Sequence, residues 1–258
     1  MKKNALLILL FLLFCGVLGS YWLLAVHPFI QSSPAESSGE VMFEETFNTG
    51  FLDPERWKLT RDCDVRQSII DVVAADPMNP GDSRLRLGMD TIGTRDDTVK
   101  YIGIRSNNRF KIGEAKEISF DLDWNNQSNG CYLTAAFYIC PTKTSKNPEQ
   151  EPEWFKIEYI GVPPGKNGRA VIATKGDDRV RYWYTEGWPE KRDGRSLGNK
   201  HITIVPHING ITILENGTFL NTLSLEDMEF ESAYLYFQMS SHSNYPFREV
   251  YFDNISVK

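Results

Sequence analysis

Histidines, zinc-type cysteine spacings and basic clusters are scarce in this chain, and each scarcity closes off a class of function. Four histidines are scattered along 258 residues; His201 and His207 share one strand-like run, which is not a histidine metal site. The four cysteines form no Cys-x-x-Cys pair and no Cys/His spacing of the zinc type. Lys and Arg total 28 against 34 Asp and Glu, a net charge of −6. Counterion-driven affinity for nucleic acid needs clustered cations, so nucleic acid is excluded as a partner. VPPGKNGR at 162–169 has a lysine and two glycines without the spacing of a phosphate loop. Around SSHSNYPFRE, 240–249, there is no nucleophile elbow and no Ser/His/Asp order. Asp62, Asp64, Asp71 and Asp82 are too irregularly spaced for an EF-hand loop. From Met42 onward there is no long amphipathic helical pattern.

What the chain does have begins with residues 5–26, ALLILLFLLFCGVLGSYWLLAV, uncharged and preceded by Lys2 and Lys3. As a helix this run spans roughly 33 Å, enough for a bilayer. It reads as a membrane anchor with residues 1–4 cytoplasmic, Tyr21 and Trp22 near the far interface, and the remainder exported. A signal peptide cut near Val17-Leu18-Gly19 is the rival reading. A lipidated Cys15 is disfavoured by bulky Leu13 and Phe14. HPFIQSSPAESSGEV, 27–41, has the Ser, Pro and Glu content of a tether, leaving 42–258 as one domain. Export to an oxidising compartment permits one disulfide among Cys63, Cys131 and Cys140, with one thiol left over and the pairing open.

The domain reads as all-β. ISFDLDW (118–124), CYLTAAFYI (131–139), WFKIEYI (154–160), RAVIAT (169–174) and RVRYWYT (179–185) are rich in β-branched and aromatic residues and bounded by Gly, Pro, Asn or Asp. In HITIVPHINGITILENGTFLNTL, 201–223, Asn209-Gly210 and Asn216-Gly217 predict two tight hairpin turns, because both residue types accept positive φ. A three-stranded meander follows. Near the C-terminus, AYLYFQM alternates Leu235, Phe237 and Met239 with Tyr234, Tyr236 and Gln238, which predicts one core face and one polar-aromatic face.

The opening FEETFNTGFLDPERWKL (43–59), the Glu-Asn-Gly hairpin and the closing YFDNISVK resemble the concanavalin A-like lectin/glucanase superfamily. Its members include legume lectins, laminin G-like modules and family 16 glycoside hydrolases. The resemblance implies a two-sheet antiparallel jelly-roll sandwich, preceded here by the transmembrane helix. Its first and last strands would pair, and one sheet would bend to give a ligand-facing surface. It implies no organic cofactor, although a structural calcium held by scattered carboxylates and carbonyls is familiar in the superfamily.

Activity is less directly written. Family 16 enzymes carry Glu-x-Asp-x-(x)-Glu on one strand, and alternation sends those carboxylates to one face; the motif is absent here. Glu158 and Glu186 are the candidate catalytic carboxylates for a glycosidase assembled from different strands. A polysaccharide lyase would cast Tyr236, Gln238, His242 and Arg181 as base and neutralising groups. Sugars stack their CH faces on aromatic rings beside planar amides and carboxylates. The expectation is therefore a membrane-tethered glycan-binding module without chemistry. Its platform would be Tyr234, Tyr236 and Gln238, with Tyr184, Glu186, Trp188 and His242 at the rim. Glycan cleavage on the same fold and a protein-interaction module of the envelope are the alternatives.

Overall fold

The computed structural model describes residues 42–258 except 62–64, 95–98, 124–132, 162–168, 177–178, 185–197, 209, 225–230 and 243. The apolar run 5–26 lies outside the described residues, and among those no helix is long and apolar enough to cross a membrane. Sixteen strands are described: β1 Phe43–Glu45, β2 Trp57–Arg61, β3 Gln67–Asp76, β4 Asn79–Asp90, β5 Val99–Ser106, β6 Phe110–Lys111, β7 Ile118–Asp123 and β8 Leu133–Cys140. There follow β9 Trp154–Ile160, β10 Arg169–Gly176, β11 Arg179–Tyr184, β12 Asn199–His207, β13 Gly210–Glu215, β14 Thr218–Ser224, β15 Ser232–His242 and β16 Arg248–Val257.

These strands make two antiparallel sheets. The first runs β14-β13-β12-β7-β16-β4-β3, with β1 added beside β16; the second runs β11-β10-β9-β8-β15-β5-β2, with β6 added beside β15. The expected all-β sandwich is thus present. So is the pairing of first and last strands, with Phe43 opposite Val257 and Glu45 opposite Ile255.

Alternation builds the core. Leu235, Phe237 and Met239 of β15 point into the same interior as Phe137 of β8, Phe120 of β7 and Phe252 of β16. Phe237 is the hub, with its ring centroid 5.9 Å from Trp57, 5.4 Å from Phe120, 5.2 Å from Phe137 and 5.2 Å from Phe252. Edge-to-face and tilted contacts of this kind add to the burial of each ring. Polar groups that enter the interior arrive paired. Glu215 accepts from Tyr159 at 2.7 Å and from Lys200 at 3.0 Å, tying the two sheets together. Buried Glu45 accepts from Trp57 Nε1 and from the Phe47 amide, each at 2.9 Å. The second of these bonds braces Phe47, whose φ of 54° lies in the left-handed region.

The meander forms with one adjustment. Asn216 and Gly217 both take positive φ, 49° and 75°, as the tight turn between β13 and β14 demands. At the other turn Gly210 pairs with His207 inside the ladder, so it belongs to β13 and not to a turn formed by Asn209-Gly210. Gly210 is needed for a different reason: a Cβ there would sit 2.1 Å from the Leu223 carbonyl oxygen.

Replacing Phe237 by Ala should cost about 3–5 kcal/mol, the range for a fully buried aromatic ring that leaves a cavity. Urea denaturation of the two proteins checks this; a loss below about 1 kcal/mol would mean that the ring does not organise the core.

Candidate functional site on the outer face of the second sheet

Period-two geometry gives the second sheet an outer face opposite the core. It carries Ala136, Tyr138 and Cys140 of β8, Trp154 of β9, Val171 and Ala173 of β10 and Tyr236 of β15, which pack into a second, smaller apolar cluster. Across the strands Gly103, Gln238, Ala136 and Glu158 stand in one register row. Arg105, Tyr236, Tyr138 and Lys156 stand in the next.

The β8–β9 connection, 141–153, lies against this face. Tyr236 OH donates to the Thr142 carbonyl at 2.6 Å and accepts from the Thr144 amide at 3.0 Å. Buried Cys140 donates through Sγ toward the carbonyls of Thr142 and Glu153. Asn147 caps a single 3-10 turn, Pro148–Gln150, by accepting from the Glu149 amide. That turn delivers the Glu149 carboxylate to the face, where Oε1 accepts from Tyr138 OH at 2.9 Å and from Lys156 Nζ at 2.7 Å. The same ammonium donates to Glu158 Oε2 at 2.8 Å. Two carboxylates therefore flank one buried lysine, and those two oxygens are no farther apart than the two bonds laid end to end.

The electrostatics fit that arrangement. Burial disfavours the charged Lys156, yet the fields of Glu158 and Glu149 and their hydrogen bonds outweigh it and raise its pKa. Burial, then the nearby Glu149 and Glu158, push the Tyr138 hydroxyl well above the usual phenol range, so it stays a neutral donor. Glu149 is about one-third exposed and Glu158 about one-eighth, so both carboxylates meet solvent while the ammonium between them is almost covered.

The remainder of the face is conspicuous for polar atoms that bond to nothing. Among the described residues seven buried side-chain nitrogens or oxygens lack a partner, and five of them lie here: Nε and Nη1 of Arg105, Oγ1 of Thr134, Nε1 of Trp154 and Oε1 of Gln238. Buried polar groups are ordinarily satisfied, and five of the seven exceptions are concentrated on this one face.

Of the residues singled out in the sequence, Tyr234, Tyr236, Gln238 and His242 do share this side. The ladder of β15 runs without a break from Tyr234 to His242. Tyr236 and Gln238 are each only 1% exposed, however. Tyr234 is half-buried, with the guanidinium of Arg105 5.3 Å from its ring. Glu158 is at the centre of the carboxylate pair. The backbone of Tyr184 pairs with Val171 and that of Arg181 with Thr174; Glu186 and Trp188 lie outside the described residues. Cys63 and Cys131 lie there too, while Cys140 is a free thiol that burial pushes up to about 12. Glu149, Lys156, Tyr138 and Arg105 were not singled out. Their signal was present in the outward alternation Trp154, Lys156, Glu158, and in Arg105 standing two residues after Gly103 in β5.

A cleft of about 300 Å³ lies on the outer face of the first sheet, lined in part by Asp82, Arg84, Asp121, Asp123, His201 and Asp253. Register places His201, Asp121 and Asp253 side by side across β12, β7 and β16. Asp121 is held by His201 Nδ1 at 2.6 Å and by Asn254 Nδ2 at 2.7 Å, and Arg84 is paired with Asp123. Burial, then the carboxylates of Asp82 and Asp121, raise Asp253 to about 7 against the opposing Asn254 amide and Arg84. Crowded carboxylates are the donor type calcium takes. Among the described residues no three His, Cys, Asp or Glu side chains converge as a metal site, so no metal centre is assigned.

No family model and no curated protein matches the chain. Solved structures do. A mixed-linkage-glucan family 16 glycoside hydrolase from Bacteroides ovatus superposes with TM-score 0.59 at 15% identity, over 84% of this chain and 100% of its own. A β-glucanase from Bacillus licheniformis gives 0.56 at 10% over 86% and 99%, and a β-1,3-glucanase from Mycobacterium marinum 0.55 at 13% over 86% and 100%. At such identity the likeness is one of fold, and that fold is the concanavalin A-like jelly roll.

The expectation of a glycan-binding module without chemistry is overturned. These neighbours are glycan-cleaving enzymes, and the aromatic side of β15 is not an open stacking platform. Segment 141–153 occupies the Tyr236 hydroxyl, and Gln238 is buried between Asn147 and Ser240.

Asp253 supplies a pH test. Its folded pKa lies above the unfolded carboxylate value, so the native state favours the protonated form. Its stabilising share is complete below about pH 4, declines as pH rises and is gone above about 7. Asp253→Asn should therefore stabilise the protein at pH 8 relative to wild type by about 1 kcal/mol, after discounting for solvent screening. The gain should vanish by about pH 4. Denaturation curves at both pH values check this; a gain of equal size at both would refute it.

Proposed function

We propose that this chain is a glycan-cleaving enzyme, a glycoside hydrolase working on the outer face of the second sheet. The observation that carries the reading is the Glu149/Glu158 pair held by Lys156. Retaining glycosidases place their two carboxyl groups about 5–5.5 Å apart, one to attack the anomeric carbon and one to protonate the leaving oxygen. Two carboxylate oxygens bonded to one ammonium at 2.7 and 2.8 Å are no farther apart than the upper end of that range. Glu149 accepts from both Tyr138 and Lys156 and is fixed in direction, which suits the nucleophile. Glu158 makes a single bond among the described residues, to Lys156 through Oε2; in the proposal its Oε1 carries the proton given to the leaving oxygen and, once deprotonated, takes one from the attacking water.

The family 16 strand motif has no counterpart in the sequence. Outward positions 154, 156 and 158 of β9 read Trp, Lys and Glu, and in this proposal the second carboxylate comes from the covering loop instead. The likeness to glucanases supports the reading as fold analogy. An exported domain tethered by residues 5–26 belongs to the same proposal and would put the enzyme where polymeric glycans are met.

The test is release of new reducing ends from a panel of polysaccharides by the full-length chain in mild detergent. Wild type should give product, and Glu158→Gln and Glu149→Gln should each slow it by about 10²-fold or more. Product from Glu158→Gln at the wild-type rate, or none from any polysaccharide with folded wild type, would overturn the proposal.

A further inference from the structure

Resting on the glycan reading above, we infer that the chain cleaved is acidic, with an anionic substituent, carboxylate or sulfate, received by Arg105 at the β5–β2 end of the same face. Arg105 is 4% exposed, and neither Nε nor Nη1 has a partner. Lys156, Lys200 and Glu45, also buried, are each compensated: Lys156 by Glu149 and Glu158, Lys200 by Glu215, Glu45 by Arg56. Arg105 has no ion pair among the described residues. It has the ring of Tyr234 at 5.3 Å, with Arg109 6.0 Å from the same ring. A buried guanidinium without a counter-charge is costly and is the group best suited to bind a carboxylate or sulfate.

A second observation points the same way. The cross-strand neighbour of Arg105 is Lys58, its register partner on β2. Like charges directly opposite destabilise a sheet, and an anion seated between them turns that repulsion into attraction. Lys58 is exposed and Tyr234 half-buried, so Arg105 sits just beneath a surface that a ligand can reach.

Arg105 and Lys156 stand in one row three strand spacings apart, roughly 14 Å. The anion is thus borne by a sugar away from the bond cleaved, and losing its contact should weaken binding while leaving the bond-breaking step alone.

The experiment is titration calorimetry of the full-length chain in mild detergent, using Glu158→Gln as background so that ligand survives. Probes are oligogalacturonate, a sulfated galactan oligosaccharide and a neutral mixed-linkage glucan oligosaccharide. At least one acidic probe should bind more tightly than the neutral one, and the affinity should fall with added salt. Adding Arg105→Gln should weaken it tenfold or more. Lys58→Gln, at an exposed position that cannot threaten folding, should weaken it severalfold. Preference for carboxylate or for sulfate names the substituent. The inference is overturned if both variants bind the acidic probes as wild type does, or if the neutral oligosaccharide is the tightest ligand. Cleavage of neutral glucan by wild type with Arg105→Gln equally active would refute the acidic substrate and leave the hydrolase standing. No product from any polysaccharide would remove both.

Discussion

The strict alternation of β15, from Ser232 to His242, is the constraint on which the remainder of this structure depends. Its odd-numbered residues put Phe237 against aromatic rings from both sheets and so hold the sandwich shut. Its even-numbered residues must then face outward, where Tyr236 and Gln238 would be an apolar-aromatic surface open to water. The fold settles this by laying segment 141–153 across them, and the bonds from Tyr236 to Thr142 and Thr144 fasten it there. A slip of one residue in register would exchange the two faces.

Covering one part of the outer face has a chemical result. The same segment that hides Tyr236 brings Glu149 within reach of Lys156 and Glu158, so a structural lid supplies half of a carboxylate pair. On the same face Arg105, Thr134, Trp154 and Gln238 keep buried polar atoms without partners. Such groups lower stability. Their gathering on the face that also holds the carboxylates is the arrangement expected where a ligand completes the hydrogen bonding.

Much of the fold was legible because strands announce themselves by period and punctuation. WFKIEYI is β9 residue for residue, and the Asn216-Gly217 turn has the positive φ angles its residues favour. The long β3–β4 hairpin was not singled out: QSIIDVVAAD lacks clean alternation, and its turn is built on Asp76 accepting from the Met78 amide, not on Asn-Gly. The site was legible only in part. Alternation correctly grouped Tyr234, Tyr236, Gln238 and His242, but whether a sheet face is bare or covered depends on a loop whose path no local pattern encodes. Glu149 sits in just such a loop. Glu158 could be picked out by residue type, whereas its partner Lys156 was passed over because a lysine in a strand reads as a solvated edge.

The measurement that tests the carboxylate account most directly is the anomeric configuration of the first sugar released, followed by proton NMR before mutarotation. Two carboxylates bridged by one ammonium are too close to admit a water between carboxylate and sugar, so the account requires retention. Retained configuration in the initial product is the expected result. Inverted product would contradict it and place the catalytic pair elsewhere on the fold.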